Sequence, residues 1–256
     1  VPRHVELFMN GASLRGAAPR VWISGVQEDV PALDVTTAIY PAWDGERSVA
    51  AVRRSLRLTI VAQIHEVYNL AARSAALDAI AAWVGGGGVL TASYRPGKRL
   101  RVVPTARPSL GAVRDYTQEV KIELTAYAVP YWEDDTVTTR TFGPGSSGNV
   151  AFPLGCTHET PLDAVITANG NVTSLSLTAA GQTLHLTGLS LAAGDTLTIE
   201  HTEDDYLVIR AGETRLMDKL TADSADDLLL RPGSNTISVS ADASISARLT
   251  ARGRWE

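Results

Sequence analysis

The sequence predicts a mainly β chain of two domains: an N-terminal antiparallel β-sheet domain with one covering helix, then a C-terminal β-sandwich or jelly roll. Three observations carry that expectation. Apolar and polar residues alternate over long stretches, the mark of strands with one buried face. Only one segment has helical periodicity. Beyond residue 142 short alternating runs succeed one another at intervals of roughly 8–12 residues, with no helical pattern among them.

In the N-terminal half, residues 56–64 place Leu56, Leu58, Ile60, Ala62 and Ile64 on one face and Arg57, Thr59, Val61 and Gln63 on the other. That is a strand. Residues 116–129 repeat the pattern, with Val120, Ile122, Leu124, Ala126 and Ala128 inward, and this run is expected to be the longest strand in the chain. Between them lies the helix, residues 70–84, where Leu70, Leu77, Ile80, Ala81 and Val84 recur near a 3.6-residue spacing. Its many alanines favour helix. Asn69 or Ser74 could cap its start, and Gly85-Gly86-Gly87-Gly88 must end it, because consecutive glycines reach left-handed backbone and weaken a helix. A phosphate loop would need a preceding strand and a following Lys-Ser or Lys-Thr, and the sequence has neither. Residues 89–94 and 99–103 flank Arg95-Pro96-Gly97-Lys98, a β-turn sequence, and form a hairpin.

The domain boundary is expected at residues 142/143, where Gly143-Pro144-Gly145-Ser146-Ser147-Gly148 reads as a linker or long surface loop. The domains are then 1–142 and 143–256. Beyond the boundary, strands are expected at 164–168, 172–178, 183–189, 196–201, 206–210, 236–240 and 244–251. Asn169-Gly170, Ala193-Gly194-Asp195 and Ala211-Gly212 offer the positive φ that tight turns require. The last two strands are expected to close the chain as a hairpin.

Composition narrows the function. The 256 residues carry a formal net charge of −5 at a pI of about 5.6, which disfavours a protein built to hold a phosphate backbone. Cys156 is the single cysteine, so no intramolecular disulfide and no Cys-rich zinc motif can form. No run approaches the ~18 apolar residues of a membrane helix, and residues 1–9 lack the apolar core of a signal peptide, so the expectation is a soluble chain made in the cytoplasm.

No catalytic, cofactor-binding or metal residue emerges. His4, His65, His158, His185 and His201 are scattered without a His-x-x-x-His pair. His201 continues the Leu197 and Ile199 face and reads as a hydrogen-bonded edge histidine, whereas His185 reads as exposed. Glu133-Asp134-Asp135 and Glu203-Asp204-Asp205 lack the spaced ligands and glycine of a calcium loop and read as solvated charge. No serine sits in a Gly-x-Ser-x-Gly elbow. What remains are interface candidates. Arg53, Arg54 and Arg57 form one basic group and Arg95, Lys98, Arg99 and Arg101 another; each reads equally as contacts to a neighbouring subunit or as a solvated strand end. Trp43, between Pro41 and Asp44-Gly45, is a loop residue and an interface candidate, as is Trp132, while Trp83 belongs in the core from its helical position.

Two local patterns carry a resemblance. The alternating run ending in Pro130-Tyr131-Trp132, and Leu230-Arg231-Pro232-Gly233-Ser234-Asn235 leading into an alternating strand and Arg252-Gly253-Arg254-Trp255, resemble segments of the distal tail proteins of siphophages. The resemblance implies a galectin-like C-terminal sandwich and a ring, usually hexameric, at the phage tail tip. One face of that ring would join the tail tube protein and the other the tail-tip hub protein, with DNA only as transient cargo in the channel. It further implies a structural virion component that is no enzyme, needs no cofactor and touches no membrane. The alternative from another class is a carbohydrate-binding module for host-surface attachment. The scarcity of aromatic residues after Val150, where only Phe152, Tyr206 and Trp255 occur, weighs against it.

Overall fold

The computed structural model describes residues 5–29, 31–39, 46–65, 69–114 and 116–256. The chain divides into two compact units, Val1–Trp132 and Glu133–Glu256, so the division follows Trp132 and not Phe142. In the first unit the elements are β1 (Leu7–Met9), β2 (Ala12–Ser13), α1 (Leu14–Ala17), β3 (Val21–Asp29), β4 (Leu33–Ile39), β5 (Glu46–Arg53), β6 (Leu56–His65), α2 (Leu70–Val84), β7 (Gly88–Ala92), β8 (Lys98–Pro104), β9 (Ser109–Arg114) and β10 (Thr117–Ala126). A short strand, β11 (Trp132–Asp134), lies at the division. The second unit holds β12 (Thr138–Leu154), β13 (Thr160–Ala168), β14 (Val172–Ala179), β15 (Gln182–Leu191), β16 (Thr196–His201), β17 (Leu207–Ala211), β18 (Thr214–Arg215), β19 (Leu229–Leu230), β20 (Gly233–Ala251) and β21 (Arg254–Trp255).

The first unit is an antiparallel sheet in the order β2-β1-β7-β8-β10-β6-β3, with β9 also paired to β10. Alternation does the expected work in β6: Leu56, Leu58, Ile60, Ala62 and Ile64 are all buried. In β10 the face of Val120, Ile122, Leu124 and Ala126 is buried as well, but the strand stops at Ala126 and leaves Ala128 exposed. The helix α2 spans the expected residues and is capped by Asn69, whose side chain accepts from the Ala72 amide at 3.0 Å. Its buried stripe is Ala76, Ile80, Trp83 and Val84; Leu70 and Ala81, expected inward, are exposed. Trp83 fixes the stripe by donating its indole hydrogen to the Ala12 carbonyl at 2.7 Å, so that one buried aromatic is both packed and satisfied.

The glycine run ends α2 as expected, and Gly87 has a second duty. Its φ is +89°, and a Cβ built there would stand 2.3 Å from the Val102 carbonyl oxygen and 2.8 Å from Val103 Cα. The backbone of β8 therefore approaches as closely as only glycine allows. Gly87→Ala is expected to destabilise by about 2–3 kcal/mol, while Gly86→Ala, with open space around it, should stay within about 0.5 kcal/mol; paired thermal melts compare them.

The second unit departs from the expected linker and closing hairpin. Residues 143–148 lie inside β12, and the two expected C-terminal strands are one continuous strand, β20. At 19 residues β20 is the longest strand of the chain, ahead of β12 at 17, and both exceed β10 at 10. β12 pairs with β20 along both halves, while the opposite edge of β20 pairs with β14 through residues 237–241 and with β13 through residues 245–251. The strand thus leaves one leaf of the sheet and enters the other. The buried residues Asn235, Ile237 and Val239, then Ile245, Ala247, Leu249 and Ala251, keep one parity across a corner at 240–244, where Ala241 and Ala243 on the same face are partly buried against the core. Bulges in β12 between Phe142, Gly145 and Ser147 form the matching corner, and the Phe142 ring lies against Gly148, 2.8 Å from where a Cβ would stand. Strands that switch leaves do so through bulges and bends, which is why the glycines cluster here.

The sheet order β15-β14-β20-β13-β16-β17-β18 wraps this unit around one core containing Phe152, Leu162, Ile166, Leu175, Leu184, Leu197, Ile209 and Leu249. Because β13 and β14 follow one another along the same edge of β20, the Asn169-Gly170 link is not a hairpin turn, and neither residue has positive φ. The hairpin signal lies instead at Ala180-Gly181, with φ of +50° and +86° joining β14 to β15. Gly194 and Gly212 have positive φ as expected.

Candidate interface surfaces

Among the described residues, half of the exposed large apolar groups of the first unit fall on two elements, an arm and an edge strand, while Leu70, Tyr94, Val103, Tyr116 and Tyr127 are exposed elsewhere. Among the described residues β4 and β5 pair only with each other, as a two-stranded arm apart from the main sheet. Leu33 and Val35 lie exposed on one side of this arm and Val52 on the other, at 52%, 48% and 64% exposure. A lone two-stranded ribbon is marginal in water because no face of it is shielded. The second element is β9, exposed at all six residues, including Leu110 and Val113.

The expected basic groups fall around these elements. Arg53 ends β5 opposite Leu33, and Arg54 follows it, its Nε 2.6 Å from the Asp34 carboxylate of β4. Both partners are more than half exposed, so the pair contributes at most ~0.2–1 kcal/mol and serves to close the base of the arm. Arg57 stands apart on the exposed face of β6, opposite Asp29 of β3 and Thr125 of β10. On β8, Arg99 and Arg101 alternate with the buried Leu100 and Val102 and so share its outer face; Lys98 opens the strand. Trp43, like His4, lies outside the described residues.

Arg95 and Trp132 turn inward. Trp132 is fully buried, which removes it from the exposed candidates, and its indole nitrogen donates to Glu28 Oε2 at 3.2 Å. The same carboxylate oxygen receives Arg95 at 2.9 Å, and the guanidinium lies 5.5 Å from the Trp132 ring centroid. Tyr94 meets that ring edge-on at 6.1 Å, and its hydroxyl is held well above the usual phenol range by burial and then by the hydrogen bond and charge of Glu28. Arg95, Glu28 and Trp132 therefore pin the β7–β8 turn to β3, with charge compensation that a half-buried carboxylate needs.

In the second unit His201 is hydrogen-bonded as expected and its side chain is only 6% exposed, but β16 is an interior strand between β13 and β17 and not an edge. Its Nδ1 lies 2.8 Å from Asp163 and its Nε2 2.7 Å from Asp227. Burial alone would lower its pKa; the hydrogen bonds and charges of the two aspartates outweigh that and raise it to about 9. Asp227 is also shifted: burial pushes it up, but the hydrogen bond and charge of His201 prevail and hold it below the usual carboxylate range. The three side chains thus form an imidazolium held between two carboxylates. His185, expected exposed, is half-buried because residues 221–225 run along β15, with the His185 amide donating to Ser224. Arg254 of β21 is buried and bound to Asp205, which gives the Glu203-Asp204-Asp205 loop a fixed partner. Among the described residues no cluster of three or more His, Cys, Asp or Glu could hold a metal ion, and no helix is long and apolar enough to cross a membrane.

The fold and its surfaces define a two-unit, mainly β chain in which a helix-backed antiparallel sheet precedes a curled sandwich and the conspicuous features are an apolar arm and an open strand edge. No protein-family model matches the chain, and no curated protein does. Among solved structures it is similar to the SPP1 Dit protein, described as a paradigm of the hub adsorption apparatus in phages infecting Gram-positive bacteria. That likeness has a TM-score of 0.74 at 11% identity and covers 97% of this chain and 98% of that one. Two further matches are chains of the phage P2 baseplate in its activated conformation with Ca, at TM-score 0.46 and 10% identity over 99% and 98% of the two chains, and with Sr, at 0.44 and 9% over 97% of each. This chain therefore has the fold of the SPP1 protein, in both units and in the same order.

Proposed function

We propose that this chain is a structural protein of a phage tail tip, a virion component that forms a ring of about six subunits, joins the tail tube protein to the tail-tip hub protein and lets DNA pass through its centre. The observation that carries this reading is the likeness to the SPP1 Dit protein over nearly the whole length of both chains. Two units matching in one alignment is a stronger warrant than either alone, since single β-sandwiches host many functions. The surface chemistry supports it. The arm and the open edge of β9 are features of a subunit that completes itself against neighbours. The outer face of β6 and β10 sets Arg57 and Lys121 against Glu119 and Glu123, with Lys121 and Glu123 paired at 2.6 Å, so this face has no cationic excess to trap phosphates. The role is mechanical, and the functional residues are interfaces.

Saccharide binding has less support. Of the aromatics after Val150, Phe152 is buried, Trp255 is half-buried with its indole on Asp134, and only Tyr206 is largely exposed, so no aromatic platform is assembled there. Light scattering with negative-stain imaging of the same sample tests the ring. A closed particle of about six subunits with a central hole is the expected outcome, and a monomer at every concentration counts against it.

A further inference from the structure

The ring reading leaves open which surfaces meet, and the structure contains a donor and an acceptor that one chain leaves unused. We propose that the β4–β5 arm of one copy adds to the open edge of β9 on a second copy; the inference rests on the ring reading and names its contact. The arm lacks a third strand among the described residues and exposes Leu33, Val35 and Val52. Ribbons of this kind gain stability from a further strand and a covered face. β9 offers both. Among the described residues it pairs with β10 alone, which leaves its outer edge open, and its six residues include neither proline nor lysine, the residues that commonly blunt an edge.

The side chains match in character. Leu110 and Val113 stand opposite Val120 and Gln118 of β10, both buried, so they prolong the core face of the sheet past its own cover and remain 44% and 47% exposed. Beneath β9, the Gln118 amide donates to the Gly111 carbonyl at 3.1 Å and secures the register across the bulge, which keeps the edge strand in place before anything docks. The arm strands, of 7 and 8 residues, are long enough to cover the 6 of β9. Donor and acceptor lie on one unit, and both are exposed in the single chain. Head-to-tail contact between copies satisfies each with the other, and a heterologous contact of this kind closes a ring when its rotation permits.

Cross-linking decides the matter. In a Cys156→Ser background, cysteines are placed at Val52→Cys and Val113→Cys, singly and together, and treated with a short bismaleimide after assembly is verified by light scattering. The double variant should yield a covalent ladder ending at the full ring, and neither single variant should cross-link. An assembled ring without a ladder overturns the arm–β9 contact and leaves the ring reading standing. A cross-link within one chain means the arm folds onto its own β9, and a dimer of the Val52→Cys variant alone means arms meet arms; either overturns the proposal. A protein that is monomeric throughout overturns both the contact and the ring. Leu110→Lys supplies an independent readout: subunit affinity should fall at least tenfold with the melting temperature of the monomer unchanged, because Leu110 is half-exposed there.

Discussion

Replacing His201 by leucine is expected to destabilise the second unit by about 3 kcal/mol and to lower its melting temperature by about 10 °C. The imidazolium is buried and bridges Asp163 of β13 to Asp227 in the segment before β19, so its removal leaves two carboxylates facing each other across an apolar side chain. Both aspartates are partly exposed, which keeps the loss at the lower end of what breaking a buried ion pair costs. The pH dependence separates this from a simple packing defect. The pKa of His201 is raised from 6.5 to about 9 by folding, so the folded state holds the proton more tightly than the unfolded one. Below pH 6.5 both states are protonated and the stabilisation is complete. As pH rises from there toward 9 the unfolded state has released its proton, the advantage shrinks, and above 9 it is gone. Melting curves from pH 6 to 10 should therefore show the wild-type protein falling toward the His201→Leu variant. A constant gap across that range would exclude the charged bridge.

Trp132→Ala should have the largest effect in the first unit, about 4 kcal/mol. The indole is fully buried, so truncation leaves a cavity that the surrounding sheet cannot close. It also withdraws one donor from Glu28 Oε2 and the ring against which Arg95 and Tyr94 lie. Trp132→Phe restores most of the volume but not the indole hydrogen, so it should recover more than half of the loss; chemical denaturation of the two variants measures the difference. If Phe and Ala are equally destabilising, the hydrogen bond to Glu28 dominates and packing is secondary.

How legible these features were in the sequence follows from physics. β6, β10 and α2 have one buried face on a regular period, and that period is written directly in residues 56–64, 117–126 and 70–84. The helix stop at Gly85 was equally visible, and Asn69 was one of two caps the sequence offered beside Ser74, because capping is local chemistry. β3 was not, since its bulge between Ile23 and Gly25 shifts the parity within one strand. β4 and β9 were hidden for a different reason: a strand exposed on both faces has no hydrophobic alternation to display. These are the very strands on which the proposed contact rests, so sequence reasoning directed attention to arginines and tryptophans instead. The corner of β20 had a readable warning, because Ala241-Asp242-Ala243 contains no glycine or proline to make the turn a hairpin requires, and Asp242 accepts instead from the amides of Thr173 and Ser174.

By itself the sequence determined what depends on neighbours along the chain: the mainly β class, the single substantial helix, and the order of a helix-backed sheet and a sandwich. Tertiary structure decided what depends on which strands meet. The long β20 joins two leaves because β13 and β14 both claim its edge, and Trp132 is a core residue because Glu28 and Arg95, distant in sequence, converge on it. The arm stands free because the main sheet ends at β3. Periodicity records whether a residue has a buried side, but the partner that buries it is chosen by long-range pairing, and no local pattern encodes that choice.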